Sequence, residues 1–441
     1  MFYLPNILFA IVLLVGIGFF VKNIKKLSRN IKLGKDIDRS DRSSERWGQM
    51  ARIALGQSKM VSRPIAGILH IIVYVGFLII NIEVLEIIID GLFGSHRIFS
   101  FAGGVYDFLI GSFEILAFLV LVSVIIFWIR RMILKIPRFW SKEMTSWPKN
   151  DALNILYFEV VLMSLFLLMN GSDYALQQMG AIHYVQAGSF PISQFIAGIL
   201  PENELTLFYI ERGAWWLHII GILIFLNYLY YSKHLHILLA FPNTFYANLE
   251  PQGRFDNLAS VTKEVKLMMD PDADPYAVPE GDEEAVEKFG ASDVTDLNWV
   301  QLMNAYTCTE CGRCTSVCPA NQTGKELSPR AIMMKTRDRL EEVGQVIDDK
   351  GETSFRAEGD GKSLLDTVSE AEIWACTSCN ACVTECPIGI DPLSIIIDLR
   401  RYLVMENSAA PQELNLMMSN IENNGAPWQY SQMDRLNWKD E

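Results

Sequence analysis

The sequence predicts an all-α protein in two parts, a bundle of five transmembrane helices followed by a smaller helical domain outside the membrane. Five apolar stretches in the first 240 of its 441 residues are long enough to cross about 30 Å of hydrocarbon. No such stretch recurs after Pro242, and all eight cysteines lie between Cys308 and Cys386. We therefore divide the chain into a membrane domain at 1–242, an acidic linker at 243–296 and a cysteine-containing domain at 297–441.

The charges between the apolar stretches predict the orientation of the bundle. Between the first and second stretches there are twelve Lys or Arg residues against four acids, and between Arg130 and Asp151 there are six against two. By the positive-inside rule both loops are cytoplasmic, so the N-terminus lies outside the cell inner membrane and everything after the fifth span lies inside. The predicted spans are Tyr3–Val21, Pro64–Ile88, Phe108–Ile129, Ala152–Asn170 and Ala214–Ala240.

The polar half of the chain argues against a nucleic-acid partner. The net charge is −13, and no stripe of Lys and Arg interleaved with aromatics is present. The segment 243–296 is acidic and contains several prolines, as in Asp270–Pro275 and Gly281–Glu284. This composition predicts a solvated tether with one or two short helices and no chemistry of its own.

The eight cysteines form two identical runs of the pattern CxxCxxCxxxCP. The runs are Cys308, Cys311, Cys314 and Cys318 before Pro319, then Cys376, Cys379, Cys382 and Cys386 before Pro387. Three thiolates spaced by three residues wrap one iron-sulfur cubane, and the fourth reaches a second cluster. We therefore assign one [4Fe-4S] cluster to Cys308, Cys311, Cys314 and Cys386, and the other to Cys376, Cys379, Cys382 and Cys318. Structural zinc is the alternative, but a zinc ion needs only four ligands at one centre.

The 57 residues between the two motifs favour an α-helical ferredoxin over a compact one built of β-hairpins. The motifs, with Arg400–Met405, Asn423–Trp428, Arg435 and Trp438, resemble the iron-sulfur C subunit of heterodisulfide reductases over roughly residues 295–441. In that family two clusters relay electrons to or from a partner with Cys-Cys-Gly (CCG) domains. This chain has no Cys-Cys-Gly sequence. We therefore expect a CCG-domain, heterodisulfide reductase B-like partner on a separate polypeptide.

Three histidines in the membrane half are candidate haem ligands, because haem b needs two facing axial imidazoles. His218 and His236 are 18 residues apart, which on one helix places them on the same face about 27 Å apart. His234 would point away from that face. His70 lies about two turns from the cytoplasmic end of the second span and at a depth similar to His236, so we predict that they share one haem b. Anchoring of helix ends at the interface is the alternative role.

Ligands on the second and fifth helices, the 18-residue spacing and the string Ser232–His236 resemble two related subunits. These are the cytochrome b (gamma) subunit of respiratory nitrate reductase and the membrane subunit of heterodisulfide reductase. In those families the second helix supplies two histidines, and here Ile80 stands where the second would be. A second haem at His218 would need His96 or His183 from an outer loop.

Glutamates at membrane depth mark a candidate quinone site in the outer half of the bundle. Ionisable groups at that depth are costly and usually face a cavity or a partner. We expect Glu83, Glu86 and Glu114, together with His218, to surround a quinone headgroup. Carboxyl groups that are merely hydrogen-bonded near the interface are the alternative.

These features predict an electron-transfer subunit of a quinone-linked oxidoreductase complex. Electrons would pass between the quinone pool and a cytoplasmic dehydrogenase or CCG-type partner, for example an electron-transfer flavoprotein or a hydroxyacid dehydrogenase. The alternative is an iron-sulfur redox sensor, or an assembly protein for metal or respiratory complexes, without haem. No residue of this chain is assigned a catalytic role.

Overall fold

A computed structural model describes residues 3–272 and 288–440. Within these ranges the chain contains helices and no strand, apart from one isolated bridge between Lys35 and Asn298. Five of the helices are long and apolar enough to cross a membrane. The predicted all-α fold is therefore confirmed. The linker positions 273–275 and Gly281–Glu284 lie outside the described residues.

The first part of the chain forms the five long helices and several short ones. The helices are α1 (Leu4–Ile31), α2 (Ser43–Met50), α3 (Pro64–Phe93), α4 (Gly104–Met132), α5 (Trp147–Met179), α6 (Ser193–Ala197), α7 (Glu204–Tyr228) and α8 (His236–Phe245). The bundle core is apolar, with Ile110, Phe113, Phe166 and Ile219 almost fully buried. Helices α3 and α4 approach closely at Gly76, where a Cβ atom would lie 2.5 Å from the Val120 side chain.

The fifth span differs from the prediction at both ends. Helix α7 begins ten residues before Ala214, because the Asn203 side chain accepts a hydrogen bond from the Thr206 N–H and caps it there. It ends at Tyr228, where two 3₁₀ turns and an extended Ser232 interrupt the chain before α8. His218 and His236 therefore lie on two different helices, and the predicted continuous helix through both is wrong.

The second part is a helical domain in which the two motifs have matching surroundings. Helix α9 (Ala259–Met269) lies in the linker before this domain. The helices of the domain are α10 (Trp299–Thr307), α11 (Arg313–Val317), α12 (Pro319–Gln322), α13 (Pro329–Lys350), α14 (Glu352–Glu358), α15 (Glu370–Ala375), α16 (Ala381–Glu385), α17 (Pro392–Met405) and α18 (Gln412–Asn424). Capping boxes at Asn298 and Ser369 start α10 and α15, which end at the first cysteine of each motif. Each motif thus continues from a capped helix into a short second one.

The helical domain begins earlier than residue 297. Ala291 and Val294, which we had expected in the linker, are fully buried. The Ala291 N–H donates to the Asp398 carbonyl in α17, and the Leu364 N–H donates to the Ser292 carbonyl. Residues from 288 onward therefore belong to the packed domain.

The helical domain packs directly against one end of the bundle, which we call the near side, and the opposite end is the far side. Helix α1 runs ten residues beyond Val21, and Lys26 and Arg29 near its end both pair with Asp348 of α13 at 2.5 Å. The Asn30 side chain donates to the Tyr306 hydroxyl at 3.0 Å. The two loops rich in Lys and Arg both contact this domain, so they share the near side.

Candidate metal centres and far-side cavity

Cysteines of both motifs line one cavity beneath the first motif. Cys308, Cys311 and Cys314 line it together with Cys382 and Cys386 of the second motif, because the short helices α11 and α16 pack against each other. Within residues 3–272 and 288–440, no three His, Cys, Asp or Glu side chains converge closely enough to hold a single metal ion. Thiols of both motifs surround a space instead, as the ligands of an iron-sulfur cluster would.

The chemistry of these thiols also fits a metal cluster. Burial raises the pKa of Cys308 to about 12 and the pKa of Cys386 to about 11. A thiol in such surroundings stays protonated near neutral pH unless a bound metal cation displaces the proton. These residues therefore fit thiolate ligands of a bound cluster.

The remaining four cysteines form the second group. Burial raises the pKa of Cys382 to about 12, and the neighbouring Cys376 and Cys318 thiols act in the same direction. Cys318 is buried, whereas Cys379 is exposed to solvent. The second group thus reaches the surface of the domain, while the first group lies beside the membrane part.

A left-handed turn recurs in both motif loops. Gly312 has φ +69°, and Asn380 occupies the equivalent position with φ +60°. Glycine and asparagine tolerate this conformation best. At Gly312 a side chain is also excluded by packing, because a Cβ atom would lie 2.4 Å from an Nη atom of the buried Arg330.

The first motif is fastened to the segment that leads into α3. The Arg313 guanidinium donates to the carbonyls of Lys59 and Met60 at 3.1 and 3.4 Å, and Lys59 Nζ donates to the Cys386 carbonyl at 3.2 Å. Arg63 donates to the Glu385 carboxylate at 2.8 Å. His70 lies six residues after Pro64 in α3. The first cysteine group is therefore in contact with the segment that leads directly to His70. The sequence analysis did not identify these basic residues as part of the site.

A buried ion pair is a second contact between the first motif and the membrane part. Lys233 donates to the Glu310 carboxylate, which lies between the first two cysteines of the first motif, and to the Pro148 carbonyl at 2.6 Å. Arg337 donates to the other Glu310 oxygen at 2.7 Å. Burial raises the pKa of Glu310, but Lys233 and Arg337 outweigh it and the net shift is downward. The Lys233 carbonyl also lies 3.1 Å from Nδ1 of His236.

His70 and His236 face each other at the near side. Their ring centroids are 6.3 Å apart. Iron bonded to one nitrogen of each ring, with bonds of about 2 Å, requires a centroid separation of roughly 6 Å. The His70 Nδ1 is buried without a hydrogen-bond partner, and the carbonyl near His236 Nδ1 orients that ring as second-shell groups orient metal ligands. The two side chains therefore fit the axial positions of one haem.

The other two candidate histidines have different surroundings. The His234 ring lies 5.2 Å from Phe225 and 5.4 Å from His236. His218 is buried against α5, with Nδ1 3.0 Å from the Leu162 carbonyl and its ring 5.9 Å from Phe166. It therefore lies deeper in the bundle than the histidines of the outer loops.

A cavity of about 600 Å³ opens at the far side of the bundle. Its walls come from α1, α3, α5, α7 and the loop at 95–97, and their charged residues include Glu83, Glu86, Asp90, Arg97, Asp173 and Glu211. His96 and His183 also line it. The cavity combines apolar walls, among them Phe9 and Trp215, with a small group of convergent polar side chains, as ligand sites commonly do.

Glu114 and His218, which we had expected beside Glu83 and Glu86, do not line this cavity. The Glu114 carboxylate instead accepts hydrogen bonds from the backbone N–H groups of Ile192 and Ser193, both at 3.0 Å. It holds the loop before α6 against the bundle. The sequence analysis missed Arg97, a lone basic residue in an outer loop whose role depends on contacts distant in the chain.

Comparison with known proteins supports both parts of this description. Residues 307–390 match the family described as "4Fe-4S dicluster domain". The chain is 30% identical over 461 residues to a probable iron-sulfur-binding oxidoreductase FadF of Bacillus subtilis, covering 99% of this chain and 61% of that protein. It is 26% identical to an EtfAB:quinone oxidoreductase of Syntrophomonas wolfei, covering 98% of this chain and 59% of that protein. The chain thus spans about three fifths of the length of these relatives.

A third similarity concerns the cysteine-containing domain. Over 111 residues the chain is 28% identical to the C subunit of a ferredoxin/F420H2-dependent CoB-CoM heterodisulfide reductase of Methanosarcina acetivorans, covering 25% of this chain and 53% of that relative. No solved structure matches the chain. Together with the fold, these similarities fit a polypeptide that joins a membrane part to a 4Fe-4S dicluster part similar to the C subunit of heterodisulfide reductases.

Proposed function

We propose that the protein is a membrane-bound electron-transfer subunit that connects a cytoplasmic dehydrogenase or CCG-type partner to the quinone pool. One observation carries the proposal: the first cysteine group is fastened by Arg313 and Lys59 to the segment that leads to His70, which faces His236. Bound clusters and haem supply one-electron transfer, and the protein sets their spacing and insulation.

The cysteine ligands follow the crossed arrangement. The first cluster takes Cys308, Cys311, Cys314 and Cys386, and the second takes Cys376, Cys379, Cys382 and Cys318. Cys386 of the second motif lines the cavity of the first motif, which supports the crossing, and Cys382 of the second ligand set lines the same cavity where the two groups adjoin. Exposed Cys379 makes the second group the point of contact with a soluble partner, and the first group is the one beside the membrane. This order runs from the domain surface towards the bundle.

His70 and His236 hold one haem b at the near side. His218 is the candidate ligand for a second haem deeper in the bundle, because its Nδ1 lies at a carbonyl oxygen and its Nε2 is left for a metal. A second axial ligand from His96 or His183 receives no support, because both line the far-side cavity. The positive-inside rule places the near side in the cytoplasm of a cell with an inner membrane.

The far-side cavity is the proposed quinone site, with Glu83 and Glu86 in its wall. Its volume and mixture of apolar and polar walls suit a quinone headgroup. One relative is named an EtfAB:quinone oxidoreductase, which supports a quinone and makes an electron-transfer flavoprotein a candidate partner. The similarity to a heterodisulfide reductase of the C type supports a CCG-domain, B-like partner instead of or beside it.

The proposal is tested by counting cofactors in full-length protein purified anaerobically in detergent. We expect about eight non-haem irons per chain, four for each of two cubanes, and b-type haem that duroquinol reduces. Iron at that level without haem, from cells with an intact haem supply, would favour the redox sensor or assembly protein. Iron far below that level would contradict both functions.

A further inference from the structure

Three acidic residues form a stripe along one face of α3 inside the far-side cavity. Glu83, Glu86 and Asp90 are spaced by three and four residues, so each lies about one helical turn from the next. All three line the cavity. The stripe runs from Glu83, about 15 Å from the helix end, to Asp90 near the far-side end of α3 at Phe93.

The three carboxylates differ in their hydrogen-bond partners. Asp90 accepts from the Ser95 hydroxyl and from the Arg97 backbone N–H, at 2.6 and 2.7 Å. Glu86 accepts from the Phe99 N–H at 2.9 Å and from the Tyr106 hydroxyl at 2.8 Å. Glu83 is 3% exposed, and its Oε2 is buried with no partner. An unpaired buried carboxyl oxygen is costly, which indicates a group kept for a ligand.

A chain of polar contacts continues from Glu86 to the edge of the cavity. Tyr106, which donates to Glu86, accepts from Arg97 Nη1 at 3.0 Å, and Arg97 Nε donates to Asp173 at 2.6 Å. Asp173 lies 3.3 Å from Nε2 of His96, whose side chain is partly exposed. Arg97 is 6% exposed, so its charge is buried among these groups. Because Arg97 stays protonated, these contacts hold the buried charges in place, and the carboxylates along α3 are the groups that can pass a proton towards far-side water.

We propose that Glu83 is a catalytic residue that exchanges the proton of a quinone hydroxyl, and that Glu86 and Asp90, the next two carboxylates along the same face of α3, carry the proton to far-side water. This inference rests on the proposed function. When a hydroquinone is oxidised, its O–H bonds break, two electrons leave for the protein's iron centres and two protons leave, and the Glu83 carboxylate accepts them in turn. In quinone reduction the same protons and electrons travel in reverse, and the Glu83 carboxyl group donates to the quinone oxygen.

The experiment measures reduction of the iron centres by duroquinol in full-length protein reconstituted in nanodiscs. For Glu83→Gln we expect a kcat at least about 100-fold lower with little change in KM, since general acid–base groups contribute that much or more. The haem and cluster spectra stay those of the unsubstituted protein. Glu83→Asp, which keeps an acid, recovers part of the rate. Glu159→Gln, a glutamate of α5 outside the cavity lining, is the matched control and keeps the full rate.

The outcomes separate this inference from the proposed function. If the unsubstituted protein is not reduced by duroquinol, the proposed quinone-linked function fails. If it is reduced and Glu83→Gln is reduced equally fast, Glu83 is not the proton-exchanging group. A raised KM with unchanged kcat would likewise overturn the inference, because it assigns Glu83 to binding alone. Should Glu83→Gln not assemble with both cofactors, Glu83→Asp decides instead: a lowered kcat supports the inference, because the shorter acid reaches the quinone oxygen less well, and the full kcat overturns it.

Discussion

The Cys318 thiol belongs to the first motif in the chain but lies with Cys376 and Cys382 in space. The Cys386 thiol makes the reverse exchange and lines the cavity of the first motif. Proline after each of these cysteines starts or directs the following chain segment, so the fourth thiol is turned away from its own loop. The positions of two individual cysteines, Cys318 and Cys386, therefore connect the two motifs.

This exchange predicts the effect of removing one thiol. Cys318→Ser should remove most of the EPR signal of the second cluster and leave the first largely intact, because the proposed crossed assignment makes Cys318 the fourth ligand of the second cluster. Cys386→Ser is the matched variant and should do the opposite. Loss of the first cluster alone in Cys318→Ser would contradict the crossed assignment.

The histidine pair makes a second prediction at this scale. His70→Leu and His236→Leu should each abolish the absorbance of the same low-spin haem, since a haem with two imidazole ligands needs both. His234→Leu, a neighbour whose ring packs against Phe225, serves as the control and should retain it. Low-spin haem preserved in both the His70 and His236 variants would show that the ligands lie elsewhere.

Among the helices and turns, the break in the fifth membrane helix is the feature that connects the bundle to the helical domain. The turn at Ser232–Leu235 between α7 and α8 presents Lys233 to Glu310 of the first motif, while Asp151 at the start of α5 accepts from the Lys233 N–H at 3.1 Å. Burial lowers the pKa of Lys233, against the opposing effect of Glu310 and Asp151. A continuous helix through this segment could not have brought Lys233 to the cluster loop.

Lys233→Met should therefore destabilise the contact between the two parts. It leaves Glu310 buried with one partner fewer, and removing one member of a buried pair costs about 3–5 kcal/mol. Thermal unfolding of the anaerobic protein, followed by loss of cluster absorbance, measures the effect.

Two further variants test whether the uncompensated charge of Glu310 causes this loss of stability. Arg42→Ala removes the exposed ion pair with Glu250 and should cost no more than about 1 kcal/mol. Adding Glu310→Gln to Lys233→Met should recover part of the loss, because the uncompensated charge is then gone. A Lys233→Met variant as stable as Arg42→Ala would refute the bridging role of this turn.

At the scale of the whole molecule, the structure assembles three loops on one side of the bundle. Both basic loops and the turn after α7 contact the helical domain, through Arg63, Arg138 and Lys233 respectively. The loops between α3 and α4 and between α5 and α7 lie at the far side, where the cavity opens. The positive-inside rule and the contacts with the helical domain agree that the two basic loops lie on the same side of the bundle.

The orientation itself gives a cellular prediction. Alkaline phosphatase inserted after Gly180, in the far-side loop, should be active because that enzyme folds outside the cytoplasm, whereas a green fluorescent protein at the C-terminus should fluoresce. The reverse fusions are the controls. Phosphatase at the C-terminus should show no activity, and fluorescent protein after Gly180 should not fluoresce. Active phosphatase at the C-terminus would invert the proposed topology.

The sequence predicted the parts of this protein that depend on local spacing or on the apolar length of a segment. Cysteines three residues apart must share a loop, and a stretch such as Pro64–Ile88 must bury itself in lipid or in a core, so the five helices and the two motifs followed directly. His70 and His236 were paired by their similar depth, but His236 was chosen over His234 on the assumption of one continuous helix, which is wrong because that helix ends at Tyr228.

Only the tertiary structure decided which distant groups meet. Glu83 and Glu114 each have one buried carboxyl oxygen without a partner, yet Glu83 lines the far-side cavity, whereas the other oxygen of Glu114 holds the backbone of Ile192. The contacts of Arg97 with Asp173 and of Lys233 with Glu310 are separated by 76 and 77 residues. Ion pairs between residues so distant in the chain depend on how whole helices pack. The periodic pattern of apolar residues within one helix does not predict which distant residues will meet.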